Sequence, residues 1–319
     1  MASSKRKRAR LEKGYYGYIF IAPFFIAYLV FSLMPLINTF RYSLTDKIAY
    51  ISDFKSVGLD QFKFIIKDEN FKQAFQNTPI MWVMGFIPQL GLALLLAAWF
   101  TNEKIRVRGQ GFFKVIFYMP NIMTAATIGV LFFSFIRQNG FIHNIAIDIG
   151  YVEDKRFPIT SVNFGRGIIA FINFWMWYGQ TMIVLIAGIL GINPTFFEAA
   201  QIDGASGFQV FRKITLPLIR PIMTYTLVTS LIGGFQMFDV PNMFKTASFG
   251  RSTTTMVMYI KDVAYTGSSS IGRASAASVL LFATTAFLSI LLFIFTGDRT
   301  EKRMKKKMKA AAAMNGGKA

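Results

Sequence analysis

EAAQIDGASGFQVFRKITLPLIRP, residues 198–221, stands between two long apolar runs. Neighbouring helices are usually joined by about two to eight residues, so an acid, a turn glycine and a mixed helix here must serve more than a connection. Asn193-Pro194 opens a first short helix, since Pro fits an early helical position, and Phe197, Ala200 and Ile202 give it a partly apolar surface. Gly204 ends it. Ser206 can cap a second helix, in which Phe208, Phe211 and Ile214 recur at spacings of three while Arg212 and Lys213 face elsewhere. Leu216-Pro217 is expected to halt that helix before the next apolar run. The result is a folded elbow with apolar residues beside charges. By its physics alone it suits either a lipid headgroup layer or a protein partner.

The flanking runs set the class. A helix needs about 20 mainly apolar residues to cross a bilayer core, and six stretches qualify: 18–40, 79–100, 115–136, 168–190, 222–241 and 279–296. The fold expected is therefore all-α, a polytopic membrane protein with six transmembrane helices, and residues 253–264 read as an outer amphipathic helix or a loop. The composition agrees, with 53% hydrophobic residues, 35 Phe and only 16 Asp and Glu among 319 residues. Residues 17–40 follow KRKRARLEK, are too long for a signal-peptide core and precede no small-residue cleavage pattern, so they read as a retained anchor. Small residues at Gly85, Gly91, Ala97, Gly129, Gly179 and Gly188 allow close helix approach.

The formal charge of +19 would suit nucleic acid, but the basic residues gather in the tails and beside the apolar runs, as topology signals do. Residues 1–16, 101–114 and 299–319 carry the excess Lys and Arg and fall on one side of six spans. The loop 41–74 offsets its bases with Asp46, Asp53, Asp60, Asp68 and Glu69. Both termini and the elbow are therefore expected in the cytoplasm.

The spacing Glu198-Ala199-Ala200, three residues, Gly204, nine residues, Ile214, one residue, Leu216-Pro217 resembles the signature loop of the binding-protein-dependent ABC transporter permeases of bacterial importers. With APFFIAYLVFSLMPLINTFRYSLTD (22–46), VGLDQFKFII (57–66) and GFFKVIFYMPNI (111–122), the chain resembles the first permease of the paired carbohydrate-uptake type, the maltose, lactose, raffinose and multiple-sugar branch. The resemblance implies an ABC importer type I permease fold, with a transmembrane domain over 17–298 between basic cytoplasmic tails 1–16 and 299–319. It makes 193–217 a coupling loop seated in an ATPase groove through Glu198, Ala199, Ala200, Asp203, Gly204, Phe208 and Phe211. It also implies a second, different permease, two cytoplasmic ATPase subunits that hold ATP and Mg, and an extracellular lipid-anchored or periplasmic sugar-binding protein. The implied location is the bacterial cytoplasmic membrane, and the implied cargo is a carbohydrate, with a non-sugar solute such as a glycerol phosphate as the alternative. One departure touches the outer surface: Ser248-Phe249-Gly250 stands where these permeases have a Gly-Gly-Pro triplet.

A path for such a solute is suggested on the fourth span, where Asn173, Met176, Trp177 and Gln180 recur at i, i+3, i+4 and i+7 and combine amides with aromatic surface. In the resembling permeases this face belongs to the substrate site, and Trp177 replaces a small residue. The fifth span offers Ser230, Gly233, Gly234 and Met237 on a matching face, where the glycines suit either packing or ligand space. Trp175 and Tyr178 read as packing, and Asp239 as a residue near the outer interface.

Other classes lack their chemistry. There is no cysteine for a thiolate site, one histidine cannot build a metal centre, and no paired acids or Ser-His set lies at membrane depth. No Gly-rich loop ending in Gly-Lys-Ser or Gly-Lys-Thr is present, so ATP hydrolysis is assigned to another subunit. An ion-coupled secondary transporter would show buried acids or repeated broken helices.

Overall fold

The computed structural model describes residues 15–49, 53–102, 108–137, 140–150, 162–245, 250–267 and 269–296. Most of both basic tails and Ser248-Phe249 lie outside them. The described residues form helices and no extended strand, with only isolated bridges at Thr45–Ser56 and Ile48–Ser270.

The first helix, α1 (Tyr16–Tyr42), passes through a π turn at Leu29–Leu33 and buries none of its apolar window within the chain. Such a helix, apolar all round, has lipid or another chain as its natural surroundings. A short α2 (Asp60–Lys67) leads to α3 (Glu69–Phe100), whose N-cap Asp68 accepts from the Asn70 N–H at 2.8 Å. The third apolar stretch is not one helix. It divides into α4 (Gln110–Ile122) and α5 (Ala125–Ile136), because Met123 turns extended and Thr124 recaps the chain, accepting from Thr127 N. After α6 (Phe141–Asp148) comes the long α7 (Val162–Leu190).

Beyond α7 the elbow comprises α8 (Thr195–Ile202) and α9 (Gly207–Leu218). The fifth stretch is α10 (Arg220–Phe235) followed by a break and α11 (Asp239–Met243). The outer segment over 253–264 is chiefly helical, as α12 (Met256–Tyr265), and α13 (Ile271–Thr296) completes the described chain. Among the described residues, five helical stretches are long and apolar enough to span a membrane (α1, α3, the α5–α6 run, α7 and α13), six if the bent α9–α10–α11 run counts as one.

Close backbone approach holds the bundle. A Cβ on Gly85 would stand 2.8 Å from the Ala170 carbonyl oxygen, and one on Gly179 would overlap the backbone of Phe117, so α3 and α4 both press against α7. Gly91, by contrast, faces open space. Three apolar clusters fill the interior: Met81, Ile128, Ile169, Ile172 and Phe244 at one end; Ala93, Leu96, Met182, Leu185 and Ile219 at the other; and Ile65, Phe71, Ala74, Met256 and Tyr259 where α2 and α12 pack on α3 and α13.

Candidate functional site

α3, α7 and α10 enclose a cavity of about 260 Å³. Seven of the eight path residues named from the sequence line it: Asn173, Trp177, Gln180, Ser230, Gly233, Gly234 and Met237. Met176 does not. It is 4% exposed and packs with Met81, Ile128 and Ile172, because the cavity face of α7 runs through 173, 177, 180, 181 and 184 and leaves 176 turned into the core. Trp175 is partly buried against the two main clusters and Tyr178 is buried in one, so both are interhelical. Asp239 is exposed at the start of α11, and His143 is buried in α6.

The two glycines of α10 divide between the readings the sequence left open. Gly233 faces open space, whereas a Cβ on Gly234 would come within 2.1 Å of Trp82 Cδ1. Gly234 is therefore the packing glycine. The Trp82 indole fills that space, donates from Nε1 to Ser230 Oγ at 3.1 Å and stacks on Phe86 with centroids 5.5 Å apart. The contribution of α3, through Met81, Trp82, Gly85, Phe86 and Gln89, was missed in the sequence. These residues sit in a run that looks uniformly apolar, and only Gln89, which donates to Thr181 Oγ1 at 2.8 Å, marks it as more than lipid-facing.

At one end of the cavity the 250–255 segment is tied into the bundle. Thr255 Oγ1 donates to the carbonyl of the cavity-lining Met237 at 2.8 Å. Asn77 on α3 donates to the carbonyls of Arg251 and Thr254, both at 3.0 Å, and Arg166 on α7 donates to Asn77 Oδ1 at 2.5 Å and to the Ser252 carbonyl at 3.3 Å. Met256 N–H donates to Thr78 Oγ1 at 3.0 Å.

At the other end lies the elbow. Asn193 Oδ1 accepts from Thr195 N–H at 3.1 Å, which starts α8. Gly204, at φ +70°, stops it: Gly204 N–H donates to Gln201 O and Ala205 N–H to Ala200 O, the paired bonds of a left-handed helix stop. Ser206 and Gln209 then form a reciprocal cap on α9. Leu216-Pro217 does not halt this helix. Pro217 lacks an N–H, and a π turn over Phe211–Thr215, closed by Leu216 N–H to Phe211 O, carries the helix through to Leu218. The bend comes at Ile219, where the chain turns 67° into α10.

The elbow residues part into two faces. Glu198, Ala199, Asp203, Ile202 (87% exposed) and Phe208 (71% exposed) face outward. Ala200 is buried, since the helix stop folds back over it, and Phe211 faces inward. With Phe197 it lines a second cavity of about 240 Å³ between the elbow and the ends of α3 and α7. Ala200 and Phe211 are thus internal parts of the elbow and not part of its outer surface.

Among the described residues, no group of three or more His, Asp or Glu could hold a metal ion. Membrane-spanning helices around a polar and aromatic cavity, joined by a folded elbow, define a membrane transport component. Residues 69–306 match the family of binding-protein-dependent transport system inner membrane components, and the chain belongs to that family. It is 28% identical over 301 residues to the lactose transport system permease protein LacF of Rhizobium radiobacter, covering 94% of this chain and 100% of that one. It is also 27% identical over 286 residues to the arabinooligosaccharides transport system permease protein AraP of Bacillus subtilis, covering 88% of each. In structure it is similar to a chain of a bacterial ABC transporter involved in the import of the acidic polysaccharide alginate, with TM-score 0.74 at 24% identity over 88% of this chain and 95% of that one.

Proposed function

We propose that the chain is one of two different permeases in an ATP-driven bacterial importer of carbohydrate, supplying half of an alternating-access path. The observation that carries this reading is the place of the elbow in the chain. It joins α7 to α10, two of the three helices that wall the cavity. From Val184 to the end of α7 is six residues, and from Ile219 to Tyr225 another six, so each lever arm is about 9 Å. A push on the elbow moves both walls together.

The outward surface of the elbow, with Glu198, Asp203, Ile202 and Phe208, is the docking face for one of two cytoplasmic ATPase subunits, which bind ATP and Mg and perform the hydrolysis. Closure of the ATPase pair carries the elbow inward and turns the cavity outward, and hydrolysis resets it. A binding protein outside the membrane delivers the cargo. The permease domain covers 17–298 with the coupling loop at 193–217, and both basic tails lie in the cytoplasm. The relatives that transport lactose and arabinooligosaccharides support a carbohydrate cargo. So does a cavity that combines amides with indole and phenyl surface, which suits sugar hydroxyls and C–H faces.

The test is reconstitution of the complete complex in vesicles. Saccharide accumulation that needs ATP, this chain and the binding protein is the expected result. Accumulation without ATP, driven by an ion gradient, would replace the reading with secondary transport.

A further inference from the structure

The second cavity, of about 240 Å³, lies between the elbow and the bundle. Ala98 near the end of α3 and Ile189 near the end of α7 line one side; Phe197 of α8 and Phe211 and Thr215 of α9 line the other. One hydroxyl in it is out of the ordinary. Threonines buried in a helix usually return their hydroxyl hydrogen to the carbonyl four residues back, as Thr78, Thr224 and Thr226 do at 2.8–3.0 Å. Thr215, 5% exposed, does not. It closes the π turn over Phe211–Thr215, where the helix is widened and the Phe211 carbonyl accepts from Leu216 N–H. Among the described residues Thr215 Oγ1 has no hydrogen-bond partner. A hydroxyl removed from water without a partner is costly, so this position calls for a polar atom from outside the chain.

The rest of the lining decides what can carry that atom. None of the described residues around this cavity is Asp, Glu, Lys, Arg or His. An ion entering it would give up its water and meet no opposite charge. Phe197 and Phe211, both partly buried, present ring surface from the elbow, and Ile189 presents aliphatic surface from α7. A water molecule would satisfy Thr215 but leave those apolar walls wet. An apolar body that ends in one neutral oxygen answers both.

The place of the cavity gives its occupant an effect. The walls come from α3 and α7 on one side and from both elbow helices on the other, so any shift of the elbow against the bundle changes its shape. A ligand that fits one shape favours that position of the elbow.

We propose that this cavity is a regulatory site for a small neutral amphiphile, an apolar body whose single hydroxyl or carbonyl oxygen meets Thr215, and that its occupation restrains the elbow. The site stands on the cavity and Thr215 alone; the restraint rests on the function proposed above, in which ATPase closure moves the elbow. Ligand and closure then oppose one another, and closure weakens ligand binding by the same factor as the ligand opposes closure.

The absence of native cysteine in the chain gives a local readout in the assembled complex. Ala98→Cys places a thiol on the cavity wall, and its rate of reaction with N-ethylmaleimide is followed on this chain as 1-naphthol is added. Naphthalene-1-sulfonate serves as the charged counterpart, and Asp60→Cys, on the exposed face of α2, as the control for position. Saturable protection of Ala98→Cys by 1-naphthol is expected, with none from the sulfonate and none at Asp60→Cys. Adding Thr215→Val should weaken the protection about fivefold, the loss of one neutral hydrogen bond. Thr215→Ser should keep it, which separates the hydroxyl from a disturbed fold. Trapping the complex with ADP and vanadate should also weaken protection, by about fivefold or more. No saturable protection at Ala98→Cys, or equal protection by the sulfonate, overturns the site and leaves the cavity to water. Protection unchanged by Thr215→Val overturns the part given to the hydroxyl. Equal protection in the free and trapped complexes overturns the restraint; coupled transport that still fails in Gly204→Val and Glu198→Ala would then leave the function proposed for the elbow standing.

Discussion

Arg166 Nη2 donates to Asn77 Oδ1 across 2.5 Å, and this contact joins α7 to α3 while both residues also hold the carbonyls of the 250–255 segment. A side chain that satisfies several partners at once is costly to remove, because each deletion leaves buried groups unpaired. Asn77→Ala strands Arg166 and two carbonyls and should destabilise the detergent-solubilised protein by about 1–3 kcal/mol. Arg166→Ala should act similarly, and the double variant should cost less than the sum. Thermal unfolding of the three variants checks this, and strict additivity would mean the two residues act independently.

The two adjacent glycines of α10 are predicted to differ. Gly233→Ala enters the open space of the cavity, displaces no neighbour and should leave the stability of the protein near the parent level. Gly234→Ala must displace the Trp82 ring and its bond to Ser230, and overpacking of this kind costs about 1–3 kcal/mol. Thermal unfolding of the two detergent-solubilised variants distinguishes them; equal effects would contradict the packing described.

Tyr259 on α12 donates its hydroxyl to Asp68 Oδ2 at 2.7 Å. Burial first, then this bond and the carboxylate charge, hold the phenol well above its ordinary 10.0, against a smaller opposing effect of Arg273. The folded value is the higher one, so the contribution is complete below pH 10 and is lost as the pH rises above it, where the unfolded chain ionises first. Tyr259→Phe should lower stability at pH 7 by about 1.5–3 kcal/mol, as for a bond to a charged acceptor. It should also flatten the alkaline fall of the melting temperature. A parallel alkaline profile in the variant would contradict the role given to this hydroxyl.

The cysteine-free chain allows a direct topology test. Single cysteines at Arg108 and Ile202 should be shielded from an impermeant thiol reagent applied outside the cell, and those at Asp60 and Tyr265 should react. All four positions are exposed in the chain. Thr255 would be uninformative despite its position in the outer segment, since it is fully buried and bonded to Met237. Labelling at Ile202 from outside would invert the orientation and remove the elbow from the ATPase.

Apolar runs revealed the spans because a membrane helix needs continuous hydrophobicity, but they misplaced the ends. α3 begins at Glu69 and not near 79, since its polar first turns pack Phe71 and Ala74 against Tyr259 and Met256. α13 likewise starts at Ile271, where Ala276 and Ala277 join that cluster. The break at Met123–Thr124 was hidden because a capping Thr inside an apolar stretch looks like any other small residue. On α7 the amide and indole spacing disclosed most of the cavity face and erred by one position at Met176. Trp82 was illegible for a different reason. Its orientation depends on the absence of a side chain at Gly234, far away in sequence, and no local pattern carries that information.

The central claim is that the elbow transmits nucleotide-driven motion to α7 and α10, and Gly204 is the position that tests it most directly. Its φ of +70° costs a residue with a side chain about 1–2 kcal/mol, more for a β-branched one, and no atom lies within 4 Å of the position a Cβ would take. Gly204→Val therefore misdirects the elbow through the backbone alone, at a distance from the cavity, while Glu198→Ala alters only the outer face. The measurement is saccharide uptake and ATP hydrolysis per assembled complex, with ATPase retention determined on the same preparation. The account predicts that in both variants uptake and hydrolysis fall together, in proportion, and that the ATPase is held more weakly. Normal retention, hydrolysis and uptake in both would show the elbow to be a surface connector and contradict the account.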